Sequence, residues 1–380
     1  MRIGINALFV LPDSNGGTET YVRGLLEGLT KNPENHSYWV FVNKIAYKSF
    51  LKHESKNIHI VCCSVLGHSR LGRILYEQVI LPVICLLYRI DILHSPGFVA
   101  PLLSLCKNVI TIHDLYYLHF PNWLSASKQL YWQFFIPFSM AKARGIFVPT
   151  QAIKEEITRF FPKHAKKVRV THEANRFQPI QFKEQSPEFE STRSKTPYFF
   201  WIGTFGRHKN VTTLIYAFDQ LVRDATGAPP KLILAGARGS SLDSSFDECV
   251  KLVTELGLQN VVEFVGRISD EQAISYMKQA CAFIFPSLYE GFGLPVLEAM
   301  SQGCPVIASD IPALRELIGN AGLLVKNPTS FEGFAQAMLE ILRNKNESQN
   351  FAKKGLERLE GFSFEKMSLE TLSGYNDAKK

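Results

Sequence analysis

The stretch Cys281-Ala-Phe-Ile-Phe-Pro-Ser-Leu-Tyr-Glu290-Gly-Phe-Gly-Leu-Pro-Val-Leu-Glu298-Ala-Met300 contains the pattern of a strand, a loop and a helix in succession. Residues 281–285 are apolar and predict a short buried strand, whereas Pro295 is favoured in the first turn of a helix. The loop between them is therefore expected at the carboxyl end of a strand and the amino end of a helix. In open α/β folds, ligands bind at this place.

The same loop carries groups suited to a ligand that is both anionic and rich in hydroxyls. Glu290 and Glu298 are separated by seven residues and can accept hydrogen bonds from sugar hydroxyls. Gly291 and Gly293 let the backbone come close to a ligand. The start of the helix offers N–H groups and a positive dipole end to an anion. These residue types favour a molecule such as a nucleotide sugar.

Strands and helices alternate through the rest of the chain. In the second half, strands are predicted at Tyr198–Gly203, Lys231–Gly236, Val261–Val265 and Pro305–Ser309, and helices at Val211–Arg223, Asp247–Leu256 and Asp270–Gln279. In the first half, strands are predicted at Arg2–Ala7, Tyr38–Asn43, Ile58–Cys62, Ile90–His94 and Asn108–Ile112. This rhythm predicts an α/β fold with parallel sheets covered by helices.

The length of 380 residues suits two domains rather than one core. Residues 178–197 are rich in Ser, Pro, Glu and Lys, which is typical of a linker. We therefore predict a first Rossmann-like domain over residues 1–177, a linker over 178–197, a second such domain over 198–360 and a final helix over 361–380. Two domains of this kind form a cleft, which is the expected ligand site.

Positive charge is concentrated in the first half of the chain. Residues 1–175 contain 20 Lys and Arg against 11 Asp and Glu, whereas the remainder contains 22 against 24. A basic and locally apolar first half suits the anionic surface of a membrane; the alternative is an ordinary solvated face. Nucleic acid is not expected as a partner, because no recognised binding motif accompanies the charge.

Several features favour a cytoplasmic protein. No run of 18 apolar residues predicts a transmembrane helix, and the chain begins Met-Arg-Ile-Gly-Ile-Asn, which predicts an immediate strand rather than a signal peptide. The seven cysteines are odd in number and lack C-x-x-C spacing. We expect them to be buried, reduced thiols.

Two further loops connect a predicted strand to a predicted helix. Gly203-Thr-Phe-Gly-Arg207-His-Lys209-Asn210 contains two cations that can neutralise a departing diphosphate; a solvated basic turn is the alternative. Gly16-Gly17 follows the first strand but lacks the G-x-G-x-x-G pattern of a dinucleotide site. A plain strand–helix turn is the alternative there.

Strand-end histidines and metal motifs complete the candidates. His113 ends the apolar strand Thr111-Ile-His113 and can point into the cleft, with a core histidine as the alternative; His94 is similarly placed with less support. The sequence has no H-E-x-x-H, no paired Cys/His set and no compact D-x-D, so no metal site is predicted.

Taken together, these motifs resemble the retaining GT-B glycosyltransferases of family 4, also called glycosyl transferases group 1. The resemblance covers essentially the whole chain, and Leu75–Pro82 and Asp91–Pro96 resemble the mannosyltransferase-type members. It implies two Rossmann-like domains whose parallel sheets face a central cleft, and a C-terminal helix that crosses back to the first domain. In many members an Arg immediately precedes the lysine, whereas here His208 stands between Arg207 and Lys209.

The resemblance also implies roles for individual residues. In the second domain, Glu298 would hold the ribose and Glu290 the donor sugar, and Arg207 and Lys209 would take the leaving diphosphate. The remaining implied donor contacts are the amides of Phe292, Gly293 and Leu294 and the backbone of Arg267 and Ile268, which would hold the base. In the first domain, Gly16 and Gly17 would approach the phosphates and His113 would contact the sugar.

The implied activity is transfer of a hexose, with mannose from GDP-mannose favoured, to a lipid-linked or oligosaccharide acceptor in polysaccharide or glycoconjugate biosynthesis. The family implies retention of anomeric configuration without a metal or other cofactor, with the departing phosphate accepting the acceptor proton. A peripheral location at the inner face of the plasma membrane would follow from the basic first domain. The alternatives are a GT-B-like nucleotide-sugar epimerase and a non-catalytic nucleotide-sugar-binding partner subunit.

Overall fold

The computed structural model describes residues 1–12, 16–31, 36–65, 70–180, 196–225, 227–239 and 242–380. These residues form two compact units. The first contains Met1–Pro121, Ala126–Arg176 and Phe362–Lys380, and the second contains Asn122–Ser125 and Phe177–Gly361.

The first unit is built on a parallel sheet with strand order β3-β2-β1-β4-β5-β6-β7. Its strands are β1 Arg2–Ala7, β2 Ser37–Asn43, β3 Ile58–Cys63, β4 Ile92–Ser95, β5 Lys107–Thr111, β6 Gly145–Val148 and β7 Val168–Val170. Its helices are Gly16–Lys31, Tyr47–Phe50, Arg70–Leu75, Leu81–Leu87, Tyr116–His119, Ala126–Lys142, Gln151–Phe160 and Phe364–Lys379, with a π-helical turn at Tyr76–Ile80 and a 3-10 helix at Pro162–Lys167.

The second unit is built on a parallel sheet with strand order β10-β9-β8-β11-β12-β13. Its strands are β8 Tyr198–Ile202, β9 Lys231–Ala235, β10 Val262–Gly266, β11 Ala282–Phe285, β12 Val306–Ser309 and β13 Leu323–Val325. Its helices are Val211–Arg223, Phe246–Glu255, Asp270–Gln279, Leu294–Ser301, Pro312–Ile318, Phe331–Arg343 and Lys345–Arg358, with a 3-10 turn at Arg207–Lys209.

Continuous apolar strands lie in the middle of each sheet because helices cover both faces there. In β8, which lies between β9 and β11, Phe199, Phe200 and Trp201 are completely buried. In β1, which lies between β2 and β4, Ile3 and Ile5 are equally buried. The predicted parallel α/β architecture is thus observed in both units.

The last helix, Phe364–Lys379, belongs to the first unit and packs against the helix Gly16–Lys31. This placement agrees with the predicted return of the final helix to the first domain. The predicted first domain ends at residue 177, one residue beyond Arg176 of the first unit. Of the predicted linker, residues 181–195 lie outside the described residues, while Ile180 N–H donates to the Ser301 carbonyl of the second unit at 2.9 Å.

Some element boundaries differ from the predictions by one or two residues. The strand predicted at Ile90–His94 runs from Ile92 to Ser95; Arg89, three residues before its start, has a positive φ of 51° that interrupts extended backbone. The helix predicted at Asp247–Leu256 runs from Phe246 to Glu255. All seven cysteines lie in the described residues, and none forms a disulfide; Cys62 is exposed rather than buried.

Within the described ranges, no helix is both long enough and apolar enough to cross a membrane.

Candidate functional site

Three glycines line the carboxyl ends of adjacent strands in the second unit. Gly203 follows β8, Gly236 follows β9 and Gly266 ends β10. Gly236 has a φ of +139°, and a Cβ there would lie 1.6 Å from the Gly203 carbonyl oxygen. Its N–H donates to the Gly266 carbonyl at 2.7 Å. Only glycine fits this close approach of neighbouring backbones.

The glutamate loop begins where β11 ends, as predicted. Gly293 has a φ of +117° and caps the helix Leu294–Ser301, with Pro295 in the first turn. A Cβ at Gly293 would lie 2.8 Å from Cδ2 of Leu314, so both conformation and space require glycine. Phe292 and Leu294 are buried, and the Glu298 side chain is buried within the same helix. The amide groups of residues 292–294 therefore stand at a helix amino end.

Lys209 and Glu290, two of the predicted site residues, form an ion pair with each other. Lys209 Nζ donates to Glu290 Oε1 at 2.5 Å, and the side chains are only 18% and 12% exposed. Nζ also lies 5.3 Å from the centroid of the Phe285 ring at the end of β11. A cation and a carboxylate are therefore held together at the carboxyl edge of the sheet, largely shielded from water.

Arg207 belongs to the same 3-10 turn as Lys209 but has a different partner. Its guanidinium binds Glu248 of the helix Phe246–Glu255, with 2.5 Å between Nη2 and Oε1. Both side chains are substantially exposed, at 39% and 50%. The structure brings Lys209 to Glu290, while it places the Arg207 guanidinium at Glu248.

Asn210 was missed as a site residue, and it joins three loops. Its side-chain amide donates to the carbonyls of Pro286 at 3.0 Å and Pro328 at 2.7 Å, and its Oδ1 accepts from Thr213 Oγ1 at 2.7 Å. The residue is buried and has left-handed φ and ψ values of 58° and 34°. An asparagine directly before a predicted helix was the available signal, because Asn tolerates this conformation.

Arg267 and Ile268 directly follow β10, an edge strand of the second sheet. Arg267 is exposed and Ile268 is half-buried. Ser269 then begins the helix Asp270–Gln279 with a capping box, which fixes the chain immediately after the two residues. Their backbone is thus held at the carboxyl edge of the sheet, where a base contact is predicted.

In the first unit, His113 lies two residues beyond β5 and is buried. Its Nδ1 hydrogen-bonds to Glu173 Oε1 at 2.7 Å and its Nε2 to the Pro96 carbonyl at 2.8 Å. Burial alone lowers the pKa of His113, but the hydrogen bond and negative charge of Glu173 outweigh it and raise the pKa. Glu173 was not predicted as a site residue.

Gly16 and Gly17 are exposed and begin the helix Gly16–Lys31, and their contact with phosphates stays a prediction. Gly16 has a φ of +50° and nothing lies within 4 Å of a Cβ built on it. The preceding Asn15 lies outside the described residues.

His94 is a core histidine. Its two ring nitrogens hydrogen-bond to Tyr375 and Thr111, both at 2.7 Å, and burial lowers its pKa to about 3. It is therefore neutral and links β4 to the last helix. Among the described residues, no group of three or more His, Cys, Asp or Glu is arranged to hold a metal ion.

The two parallel sheets with their covering helices define an open α/β class of fold, in which ligands bind at the carboxyl ends of the strands. Residues 15–174 match the family model "Glycosyltransferase Family 4", and residues 182–358 match "Glycosyl transferases group 1". The chain belongs to the glycosyltransferase family that these two models describe, and it is a glycosyltransferase. The predicted family membership is thereby confirmed.

Curated relatives and a solved structure point the same way. O-antigen chain mannosyltransferase B of Escherichia coli is 29% identical over 292 residues, which span 76% of this chain and 74% of the relative. O-antigen chain mannosyltransferase RfbU of Salmonella typhimurium is 28% identical over 237 residues, which span 62% of this chain and 61% of the relative, less than two thirds of its length. Alr3699/HepE of Anabaena, solved in complex with UDP and glucose, has a TM-score of 0.73 at 16% identity, with 99% of each chain covered. This last likeness shows the fold, which is GT-B.

Proposed function

We propose that this glycosyltransferase moves a hexose, with mannose favoured, from a nucleotide diphosphate sugar to a lipid-linked or oligosaccharide acceptor. The observation that carries the proposal is the largely buried pair of Lys209 and Glu290, with 2.5 Å between Nζ and Oε1. The diphosphate of the donor needs a cation, and the hydroxyls of the adjoining sugar need a hydrogen-bond acceptor close to that cation. The pair presents these two groups side by side, at the end of β11 where the glutamate loop begins.

Donor binding exchanges the partners of this pair. Phosphate oxygens replace Glu290 at the Lys209 ammonium, and sugar hydroxyls donate to the released Glu290 carboxylate. Both new contacts are charge-assisted hydrogen bonds, so they offset the loss of the ion pair. The Lys209 charge then stabilises the negative charge that develops on the leaving diphosphate. The helix start at residues 292–294 adds N–H donors directed at an anion.

Mannose is favoured by the relatives, whose names both describe mannosyltransferases of O-antigen chains, and we propose GDP-mannose as the donor. The nucleotide named with the solved structure is UDP, so UDP-sugars are the alternative donors. In our proposal the base lies against the backbone of Arg267 and Ile268, and Glu298 holds the ribose. The product belongs to polysaccharide or glycoconjugate biosynthesis.

The proposed reaction retains the anomeric configuration and requires no metal. The acceptor hydroxyl attacks from the face on which the phosphate departs, and the departing phosphate oxygen accepts its proton. Lys209 and the amino end of the helix Leu294–Ser301 supply the positive charge that a divalent ion supplies in other enzymes.

The decisive experiment separates GDP binding from sugar transfer. Glu290→Ala should lose roughly 100-fold in turnover with GDP-mannose, yet it should bind GDP at least as tightly as wild type, because Lys209 is released from its competitor. Lys209→Ala should weaken GDP binding as well as turnover. Glu255→Ala is the matched control, because it removes an exposed Lys–Glu contact of 3.3 Å with Lys251. Turnover is measured as GDP release, with and without EDTA, and calorimetry gives the affinities.

Other results would contradict the proposal in distinct ways. Full turnover of Glu290→Ala with every donor would exclude its sugar-binding role, and loss of turnover in EDTA would exclude metal independence. An epimerised nucleotide sugar in place of free GDP would indicate the epimerase. Donor binding without any turnover would indicate a non-catalytic subunit, and an inverted product anomer in NMR spectra would exclude retention.

The first unit also carries an exposed apolar band, which supports the proposed membrane contact. Its members are large apolar side chains that are at least 49% exposed: Leu71, Leu75, Val79, Val83, Leu86, Leu87, Leu103, Leu105, Leu130, Phe134 and Phe138. The first five recur at three- or four-residue spacing, so they share one helical face. Ala100 links the helical segment of residues 70–87 to the helix Ala126–Lys142. Its carbonyl accepts a hydrogen bond from Gln78, and its N–H donates to Ser139 Oγ.

The charge around the apolar band is positive. Residues 70–144 contain seven Lys and Arg against three Asp and Glu, and one of the three, Glu77, is buried. Apolar side chains flanked by cations match a leaflet that contains anionic lipids. Large exposed apolar patches are unusual on the surface of a free monomer and mark interaction sites. We infer that the band rests on the cytoplasmic face of a membrane, where a lipid-linked acceptor is available.

A further inference from the structure

Both ring nitrogens of His113 lie within hydrogen-bond distance of a protein oxygen atom. The Pro96 carbonyl oxygen can only accept, and so can an ionised Glu173 carboxylate, at 2.8 Å and 2.7 Å. A neutral imidazole carries one N–H and can satisfy only one of these acceptors. The doubly protonated imidazolium satisfies both.

The surroundings fix the ring in this orientation. The Tyr21 ring meets it edge-on, with the centroids 4.9 Å apart, and the Phe98 ring does so at 5.4 Å. Phe98 has a φ of +71°, which is rare for a bulky side chain and is typical of functional sites. Gly97 keeps this turn close to the end of β1, because a Cβ on it would lie 2.7 Å from the Phe9 ring.

We propose that Glu173 is a positioning residue that holds His113 as an imidazolium, so that His113 supplies a fixed positive charge at the carboxyl edge of the first sheet. This inference rests on the proposed glycosyl transfer, in which a diphosphate departs. In this state His113 has no lone pair, and it acts neither as a base nor as a hydrogen-bond acceptor.

The other titratable groups around His113 add no positive charge that would oppose its protonation. Besides Glu173, the Asp114 carboxylate raises the pKa of His113. His94 on β4 is neutral, since burial lowers its pKa to about 3, and Tyr21 stays protonated, since burial raises its pKa well above the usual value. Without the Glu173 charge, burial is the largest remaining influence, and it lowers the pKa of His113 and favours the neutral ring.

The test is the variant Glu173→Gln, which retains an oxygen for the Nδ1 hydrogen bond and removes the charge. In the wild type, the raised pKa of His113 keeps the charged form to a higher pH than in a free histidine. In the variant, kcat should fall roughly tenfold per pH unit above the lowered pKa of His113, and it should recover at acidic pH. A purely structural role would instead give a loss that is independent of pH.

The control changes a similar histidine–glutamate contact, which has no proposed role in the reaction. His172 Nδ1 lies 3.2 Å from Glu370 Oε1 at the half-exposed edge of the last helix. Glu370→Gln should leave the pH profile of kcat unchanged. Matching thermal midpoints of the two variants would show that both are folded.

NMR spectra of 15N-histidine-labelled protein test the protonation state without any donor. His113 is assigned by the loss of its signal in His113→Asn. We expect an imidazolium at pH 7.5 in the wild type and a neutral ring in Glu173→Gln. A neutral His113 in the wild type, or a pH-independent loss in the variant, would overturn the inference even if mannose is transferred. Absence of transfer with every donor, beside an imidazolium signal, would instead count against the proposed function.

Discussion

At the scale of single residues, Asn210 controls the position of the glutamate loop. Its amide binds the Pro286 carbonyl four residues before Glu290, and Leu288 N–H donates to the His208 carbonyl at 2.7 Å. These bonds join the turn that carries Lys209 to the loop that carries Glu290. The geometry of the Lys209–Glu290 pair therefore depends on Asn210, although the Asn210 side chain makes its hydrogen bonds to other residues.

Two substitutions separate the conformation of Asn210 from its hydrogen bonds. Asn210→Gly tolerates the φ of 58° and loses only the side-chain bonds, which should cost about 1–3 kcal/mol of unfolding free energy. Asn210→Asp puts a carboxylate against two carbonyl oxygens and should cost more. We expect KM for the donor to rise in the same order. Thermal melts and initial rates measure both effects, and an Asp variant as active and stable as the Gly variant would contradict this account.

Individual site residues were easier to predict than their partners. Lys209, Glu290 and His113 each follow an apolar strand, so their place at a sheet edge could be inferred from a local pattern. The pairing of Lys209 with Glu290, and of His113 with Glu173, joins positions 81 and 60 residues apart. Such pairings depend on strand order and on the exact path of two loops, which local patterns do not specify.

At the scale of helices, the first and last helices of the first unit approach closely through glycine. A Cβ on Gly24 would lie 2.2 Å from the Phe364 ring, and a Cβ on Gly28 would lie 2.1 Å from the Phe364 backbone oxygen. Glycine within a helix costs stability relative to alanine. The close packing of Phe364–Lys379 offsets this cost and holds the last helix on the first unit.

Gly28→Ala tests this packing. Alanine normally stabilises a helix relative to glycine, but here the added methyl meets backbone, which cannot rotate away. We expect a loss of about 1–3 kcal/mol or more in unfolding free energy. Gly227→Ala is the control, since nothing lies within 4 Å of a Cβ at that position. Chemical denaturation measures the difference, and a Gly28→Ala protein as stable as wild type would contradict the packing.

The short elements show what sequence patterns could not reveal. The strands β7 and β13 have three residues each, too few to display a period, and neither was predicted. The ends of longer strands such as β1, β2 and β8 were predicted to within one residue. The π-helical turn at Tyr76–Ile80 was also missed, because a shift of hydrogen bonding within a helix leaves no pattern in residue type.

At the scale of the whole molecule, the two units contain different kinds of functional groups. The second unit holds the largely buried Lys209–Glu290 pair and the glycine-lined strand ends, which suit the proposed donor. The first unit holds the positive charge excess and the exposed apolar band. A difference of this kind was visible in the charge distribution of the sequence. The band itself was not, because exposure of leucines depends on which helical faces the core leaves uncovered.

The membrane contact is tested with the whole chain and vesicles of defined composition. The double variant Leu87→Asp and Leu105→Asp changes two side chains that are 76% and 79% exposed, so folding should be unaffected. We expect wild type to sediment with vesicles that contain phosphatidylglycerol more than with phosphatidylcholine alone, and the variant to bind roughly tenfold less. Leu242→Asp, which is 53% exposed in the second unit, is the control. Transfer to a soluble acceptor should persist in the double variant while transfer to a vesicle-borne acceptor falls, and equal vesicle binding by both proteins would exclude the apolar band as the membrane contact.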